Sequence, residues 1–221
     1  GANIMLSDPG SLSNFGPERL EDCDWKAIAN ADVVGVFNWN MNERANELIM
    51  EVFTFAKERG VKTYLDIGDP AVAPQRKFDG LLSILRMGIV DVLSMNEWEV
   101  VKLCNSIGYS VDEPIEAAKA LYGALAVGEI DVHTSEYSYS TRHDVLVPTF
   151  AIEVFHLTGA GDSWNAGNIL GYLLDLKVEE RLMLANATAG CYISRPDGRH
   201  CNLSQLSEFI RSSRLRGFTL D

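Results

Sequence analysis

The chain has 221 residues, 47% hydrophobic and 23% charged, an ordinary globular make-up with enough length for one sizeable core. A formal net charge of −12 works against long-range attraction to nucleic acid or to an anionic membrane surface, so an anionic ligand has to be held by local donors. No apolar run approaches the ~20 residues needed to cross a bilayer, and residues 1–20 lack a signal-peptide pattern, so neither a membrane nor a nucleic-acid partner is expected and the location expected is cytoplasmic.

Apolar runs of strand length alternate with segments of helical period, the pattern of a parallel sheet flanked by helices. Residues 31–37 read as a strand. Residues 43–59 place Leu48, Val52, Phe55 and Ala56 on a helical stripe that Gly60 stops. Residues 61–65 form a second strand that runs into the turn Asp66-Ile67-Gly68-Asp69-Pro70. Residues 78–87 read as helix up to Gly88, and residues 89–93, apolar except for Asp91, as a third strand. Such units in close succession predict an α/β fold, a three-layer sandwich with a mostly parallel sheet. Asn96 then caps a helix to about residue 107, with Glu97 and Glu99 in its first turn, and Asp112-Glu113-Pro114 opens another. Residues 130–134, 137–140 and 145–149 read as short strands, the middle one exposed and rich in Ser and Tyr. Helices follow at 160–174, 178–194 and 204–214, the last two separated by the Pro196-Asp197-Gly198 turn. No repeat or Pro/Ser linker interrupts the chain, so 1–221 is expected to be a single α/β domain. Cys23, Cys104, Cys191 and Cys201 are widely spread without a C-x-x-C pair, which favours free thiols in a reducing cytoplasm over a zinc site or a disulfide framework.

The chemistry concentrates at Leu157-Thr158-Gly159-Ala160-Gly161-Asp162-Ser163-Trp164-Asn165-Ala166-Gly167. Glycines let the backbone approach a ligand, and the first amides of the new helix point outward as an anion site. A dinucleotide fingerprint would need a small residue where Trp164 stands, which argues against a nicotinamide-dependent dehydrogenase. A carboxylate at Asp162 would repel a resting pyrophosphate. It suits instead a reaction in which the helix start stabilises charge on a phosphoryl group in flight while the carboxylate takes the proton of the attacking hydroxyl. Helix capping by Asp162 explains the turn equally well on these residues alone.

Read with its neighbours, the segment resembles the signature of the ribokinase-like (PfkB) carbohydrate kinases, a D-T-x-G-A-G-D turn followed by a helix with Asn-Ala-Gly. Thr158-Gly159-Ala160-Gly161-Asp162 and Asn165-Ala166-Gly167 carry the likeness. Asn96-Glu97-Trp98-Glu99 is similar to that family's N-x-x-E motif after a buried strand, although a capped helix has the same letters. The resemblance implies ATP-dependent phosphoryl transfer to a hydroxyl of a sugar or nucleoside-like small molecule. Asp162 would be the base, and Gly159, Ala160 and Gly161 the anion hole. Asn96 and Glu99 would organise Mg2+ and phosphates, Glu99 through metal-bound water. His133-Thr134-Ser135-Glu136-Tyr137-Ser138 stands where the family has a strand and a G-x-x-G nucleotide loop; Thr134, Ser135 and Ser138 are the nucleotide candidates, with serines in the glycine positions. Asn186-Ala187-Thr188-Ala189-Gly190 resembles the small-residue helix beside the adenine, which adds Asn186 and Gly190. Tight helix packing explains Gly190 as well.

Departures from the family set further expectations. His156 replaces an aspartate that helps bind a monovalent cation, so potassium activation is not expected; a hydrogen-bonded residue at a strand end is the plainer reading of His156. Asp66 is a candidate near the phosphates, and Trp39 with Asn38 and Asn40 a candidate sugar contact, beside the alternatives of a turn and a core tryptophan. The family's N-terminal strands, sugar-gripping residues and β lid have no counterpart in these residues, which predicts that the 221 residues alone are inactive. Family dimers often form through that lid, so the resemblance leaves a homodimer open. The competing function is a non-catalytic nucleotide- or metabolite-binding module that retains the kinase fold.

Overall fold

Glycine stops and side-chain caps set the element bounds in the computed structural model, which describes residues 10–217. The strands are β1 (Val33–Val36), β2 (Lys62–Asp66), β3 (Val90–Asn96), β4 (Val127–His133), β5 (Tyr137–Ser140) and β6 (Val145–Pro148). They form a six-stranded, mostly parallel sheet in chain order, flanked by helices. The helices are α1 (Asp22–Ala29), α2 (Ala45–Lys57), α3 (Gln75–Leu85), α4 (Glu97–Ser106), α5 (Pro114–Ala124), α6 (Ala160–Leu173), α7 (Val178–Ile193) and α8 (Leu203–Ser212). The chain divides into two compact units, one ending at Leu93 with Leu125–Gly128 added, the other formed by Ser94–Ala124 and everything from Glu129 on.

In the first unit β1 and β2 run parallel, Val33 opposite Lys62. The Thr63 hydroxyl donates to the Ile89 carbonyl at 2.7 Å and accepts from the Asp91 amide at 2.8 Å, which ties β2 to β3. Helix α2 buries Ile49, Val52, Phe53 and Ala56, spaced for one face. The expected stripe is therefore rotated slightly: Phe55 flanks it and packs edge-on against Trp25 of α1, 4.8 Å between centroids. Trp39 belongs to the core and not to a sugar pocket. It is fully buried, its Nε1 donates to Asn46 Oδ1 at 2.7 Å, and Lys77 Nζ lies 4.6 Å from its ring centroid. Asp66 accepts the Gly68 amide at 3.0 Å, where Gly68 has φ +61°, a turn-forming contact.

In the second unit β4, β5 and β6 are antiparallel neighbours. The expectation of an exposed β5 is corrected: all four of its residues are buried, because the strand lies between β4 and β6 and under α7. Val147, Trp164, Leu182 and Ala185 form one apolar cluster there, and Phe150, Ala187, Cys191 and Leu206 another. Helices α6 and α7 touch backbone to side chain at Gly167, where a Cβ would stand 2.6 Å from Thr188 Oγ1 and 2.8 Å from Ala185 Cα. Beneath them a buried ion network joins α6, α7 and β4. The Arg181 side chain, 2% exposed, pairs with Glu129 and Asp131, 2% and 0% exposed, and Asn168 Nδ2 donates to Asp131 at 2.9 Å. Burial, reinforced by Asp131, lifts the Glu129 carboxyl above its ordinary range. Burial pulls the Arg181 guanidinium down, but the Asp131 charge outweighs it and the net shift is upward.

The expectation of free thiols is corrected for two of the four cysteines. Cys191, near the end of α7, is disulfide-bonded to Cys201, just before α8, with Cα atoms 6.4 Å apart, while Cys23 and Cys104 are free. The turn through Pro196-Asp197-Gly198, with Gly198 at φ +63°, folds the chain back so that residues ten apart meet. Among the described residues no helix is long and apolar enough to cross a membrane.

Candidate active site

The glycine turn has the geometry its residues require. Gly159 takes φ +83° in the left-handed region as the N-cap of α6, a conformation that costs other residues about 1–2 kcal/mol. The Ala160 amide turns back to the Leu157 carbonyl at 3.0 Å, and the first intrahelical bond runs from the Ser163 amide to Gly159 O at 2.9 Å. The amides of Gly161 and Asp162 fall between these two, at positions of a helix start that have no intrahelical acceptor. Leu157, Thr158 and Asp162 are exposed, and Gly159, Ala160 and Gly161 are half-buried. The Asp162 side chain therefore lies outside the core, in the same first turn as those amides.

Two strand ends of the second unit converge on this helix start. The Ser94 hydroxyl, buried in β3, donates to Asn165 Oδ1 of α6 at 2.6 Å, which brings the C-terminal end of β3 alongside. His133, the last residue of β4, lies against Gly161, where a Cβ would be 3.5 Å from its Cε1. Its ring stacks obliquely on Trp164, 4.8 Å between centroids. Burial, opposed by Asp131, pushes the His133 imidazole down to about 4, so it is neutral at pH 7. The C-terminal strand ends of an α/β sheet and a glycine-opened helix thus meet, the edge at which such sheets bind ligands.

Asn96 and Glu99 form a reciprocal capping box at the start of α4. Asn96 Oδ1 accepts the Trp98 and Glu99 amides, each at 2.9 Å, and Glu99 Oε2 accepts the Asn96 amide at 2.9 Å. Both side chains are half-buried at the end of β3. Among the described residues no group of three or more His, Cys, Asp or Glu could hold a metal ion by itself. A cation here would keep most of its waters, which suits Mg2+ carried on phosphates better than a protein cage.

The nucleotide candidates fall into two sets. Thr134 is half-buried and its hydroxyl accepts the Glu136 and Tyr137 amides at 3.0 and 2.9 Å, shaping the turn in which Ser135 is exposed. Ser138, Asn186 and Gly190 are buried. The Ser138 hydroxyl donates to Asn186 Oδ1, and Trp164 Nε1 donates to both, at 2.9 Å to Ser138 and 3.0 Å to Asn186. Asn186 Nδ2 reaches the Val147 and Pro148 carbonyls at 3.3 and 3.2 Å. At Gly190 a Cβ would be 3.0 Å from the Phe209 ring, a close-packing role. Trp164, which excluded the dinucleotide fingerprint, is thus the residue that locks α6 onto β5 and α7.

Two residues beside the turn were not singled out from the sequence. The Tyr192 hydroxyl donates to the Thr158 carbonyl at 3.1 Å, and its ring stacks on His200, 4.4 Å between centroids and 14° between planes. His200 Nδ1 is 3.5 Å from Ser163 Oγ. His156 meets the Tyr192 ring edge-on at 4.6 Å; it lies outside the strands, and its Nε2 is buried with no hydrogen-bond partner, unlike the bonded strand-end residue expected. No local pattern announces these contacts, since they depend on the return of the chain from α7 to α8. A separate cavity of about 730 Å³ is lined by Glu136, Ile152, Arg214 and Arg216 among others and by none of the candidate residues.

A family model described as the pfkB family carbohydrate kinase matches residues 1–205. The chain belongs to the pfkB family. This pfkB chain is 27% identical over 203 residues to an ATP-dependent ribose-1-phosphate kinase of Halopiger xanaduensis, covering 90% of the chain and 60% of that relative. The structure of adenosine kinase from Sinorhizobium meliloti matches with a TM-score of 0.71 and 25% identity, over 89% of the chain and 58% of that protein. A protein of E. coli described as ribokinase II, solved with ATP and Mg2+, matches with a TM-score of 0.71 over 85% of the chain and 61% of its own length. At 20% identity that likeness speaks for the fold alone. The pfkB chain thus spans less than two thirds of the length of each of these proteins.

Proposed function

We propose that the pfkB chain carries the catalytic part of an ATP-dependent kinase that phosphorylates a hydroxyl of a sugar or nucleoside-like small molecule. One observation carries the reading: the exposed Asp162 carboxylate shares the first turn of α6 with the outward amides that follow the left-handed Gly159. The carboxylate accepts the proton of the acceptor hydroxyl as that oxygen attacks the γ-phosphorus. The helix start stabilises the negative charge that gathers on the transferring group. Membership of the family and the activities of the relatives support the reaction type. Glu99 and Asn96 would hold hydrated Mg2+ at the end of β3; when bound, the ion neutralises phosphate charge. Thr134 and Ser135, in the turn after β4, are the residues offered to the nucleotide.

A second reading, a nucleotide-binding module without transfer, is favoured by the burial of Ser138 and Asn186 in each other's hydrogen bonds, which removes their polar atoms from a nucleotide. Asp162→Asn in the full-length protein separates the two. For a kinase, kcat falls by about 10³-fold while the affinity for an ATP analogue changes by less than about threefold. A variant that keeps kcat within threefold of the parent on its best acceptor refutes the assignment of Asp162 as base. A parent that binds ATP but transfers nothing to a broad acceptor panel establishes the module.

A further inference from the structure

The glycine turn is held from behind by a side chain outside the signature. Tyr192 donates its hydroxyl to the Thr158 carbonyl at 3.1 Å, and its hydroxyl oxygen would stand 3.1 Å from a Cβ at Gly159. The Tyr192 ring is fixed on two sides, edge-on by His156 at 4.6 Å and in a near-parallel stack by His200 at 4.4 Å. The disulfide explains the stack: Tyr192 directly follows Cys191 and His200 directly precedes Cys201, so the covalent bond joins the two residues flanking the pair. His200 is also 3.5 Å from Ser163 Oγ, one residue beyond Asp162. Bond, ring stack and turn form one continuous physical chain. Without the bond, the segment 194–200 that carries His200 would be tied to Tyr192, in the last turn of α7, only through the chain itself, with more conformations open to it.

We propose that Tyr192 is a positioning residue for the anion-hole turn and that the Cys191–Cys201 bond holds it in place, so that reduction loosens the turn and slows phosphoryl transfer. The effect on rate rests on the kinase reading, whereas the effect on the turn does not. The reductant is a dithiol. Its thiolate attacks the half-buried Cys201 sulfur, forming a mixed disulfide and releasing Cys191 as thiolate. The second thiol of the reductant then displaces Cys201 and closes its own disulfide. Two electrons and two protons pass to the protein, which ends with two thiols.

The test uses the full-length protein, air-oxidised and then treated with dithiothreitol. In the oxidised form Cys191 and Cys201 resist alkylation. On reduction, deuterium exchange of the backbone amides from Thr158 to Ser163 speeds up about tenfold. At the same time kcat falls about tenfold with KM for ATP changed less than about twofold, the mark of lost transition-state positioning. Cys201→Ser shows both changes without reductant and does not respond to it. Tyr192→Phe, which keeps the ring, lowers kcat with the disulfide intact. Should Cys201→Ser fail to fold, reversible reduction of the parent gives the same comparison. Alkylation of both cysteines before reduction, or unchanged exchange from Thr158 to Ser163 after it, overturns the proposal. If exchange responds but no acceptor is phosphorylated, the kinase reading fails and the brace stands. If transfer runs at full rate in Cys201→Ser with unaltered exchange, the brace fails and the kinase reading stands.

Discussion

Replacing Arg181 by Met tests whether the buried ion network is what seats α6 and α7 on β4. Met keeps most of the stem that lies along Gly171, where a Cβ would be 2.7 Å from Arg181 Cγ, so packing is largely preserved and charge is removed. Glu129 and Asp131, both at most 2% exposed, are then left without the buried guanidinium that balances them. Losing one partner of such a pair costs about 3–5 kcal/mol, a large share of the ~5–15 kcal/mol that holds a typical protein folded. The loss depends on pH. Burial already raises the Glu129 carboxyl, so its native state holds a proton more tightly than the unfolded chain does. Such a group loses stability as pH rises from its unfolded value toward its folded one. Removing Arg181 takes away the charge that lowers the Glu129 pKa, raises it further and steepens that loss. Urea unfolding followed by circular dichroism at pH 8 and pH 5 reads the difference between parent and variant. The deficit should shrink by about 1 kcal/mol or more at pH 5, since each pKa unit is worth ~1.4 kcal/mol. The triple variant Arg181→Met, Glu129→Gln, Asp131→Asn should recover much of the loss. A deficit equal at both pH values, or a triple variant no more stable than the single one, refutes this account.

At Gly167 the backbone of α7 stands too close to admit a methyl group, since Thr188 can rotate away but Ala185 Cα cannot. Gly167→Ala should cost about 1–3 kcal/mol by thermal melting, while Gly123→Ala, with nothing within 4 Å of the new Cβ, should be neutral or stabilising by up to ~1 kcal/mol. The depressed imidazole of His133, at about 4, contributes stability that is complete above pH ~6.5 and is lost as pH falls through 4. His133→Gln should flatten the acid limb of the stability–pH curve between those values, on the order of 2 kcal/mol given the ring's partial exposure, and an unchanged limb refutes the assignment.

What could be read from the chain was what local chemistry dictates. A left-handed N-cap favours a glycine, so the turn at Gly159 was visible in the residues, and the largely apolar β3 and, to within a slight rotation, the stripe of α2 followed from residue type and periodicity. What escaped depends on distant partners. Ser and Tyr in β5 look like an exposed strand until Asn186 and Trp164 arrive from two helices to satisfy Ser138. Trp39 resembles a ring awaiting a sugar until Asn46 and Lys77 close over it. Helix α1 fully buries none of its residues, and its apolar stripe is only Trp25, Ile28 and Ala29, too short to stand out; a capping box between Glu21 and Asp24 starts it. The Cys191–Cys201 bond and the Tyr192–His200 stack hang on a single tight turn between α7 and α8, and cysteine spacing carries no trace of that.

The hydrogen-bonded triangle of Ser138, Trp164 and Asn186 makes three positions interdependent. A glycine at 138 leaves the indole N–H with Asn186 alone, a leucine at 186 takes an acceptor from both the indole and the hydroxyl, and a phenylalanine at 164 leaves serine and amide facing a ring edge. Each single step loses hydrogen bonds in a dry interior, whereas a concerted exchange for an apolar trio need lose none. The rotational setting of the helix that presents Asp162 is therefore guarded by a lock whose tumblers have to be changed together.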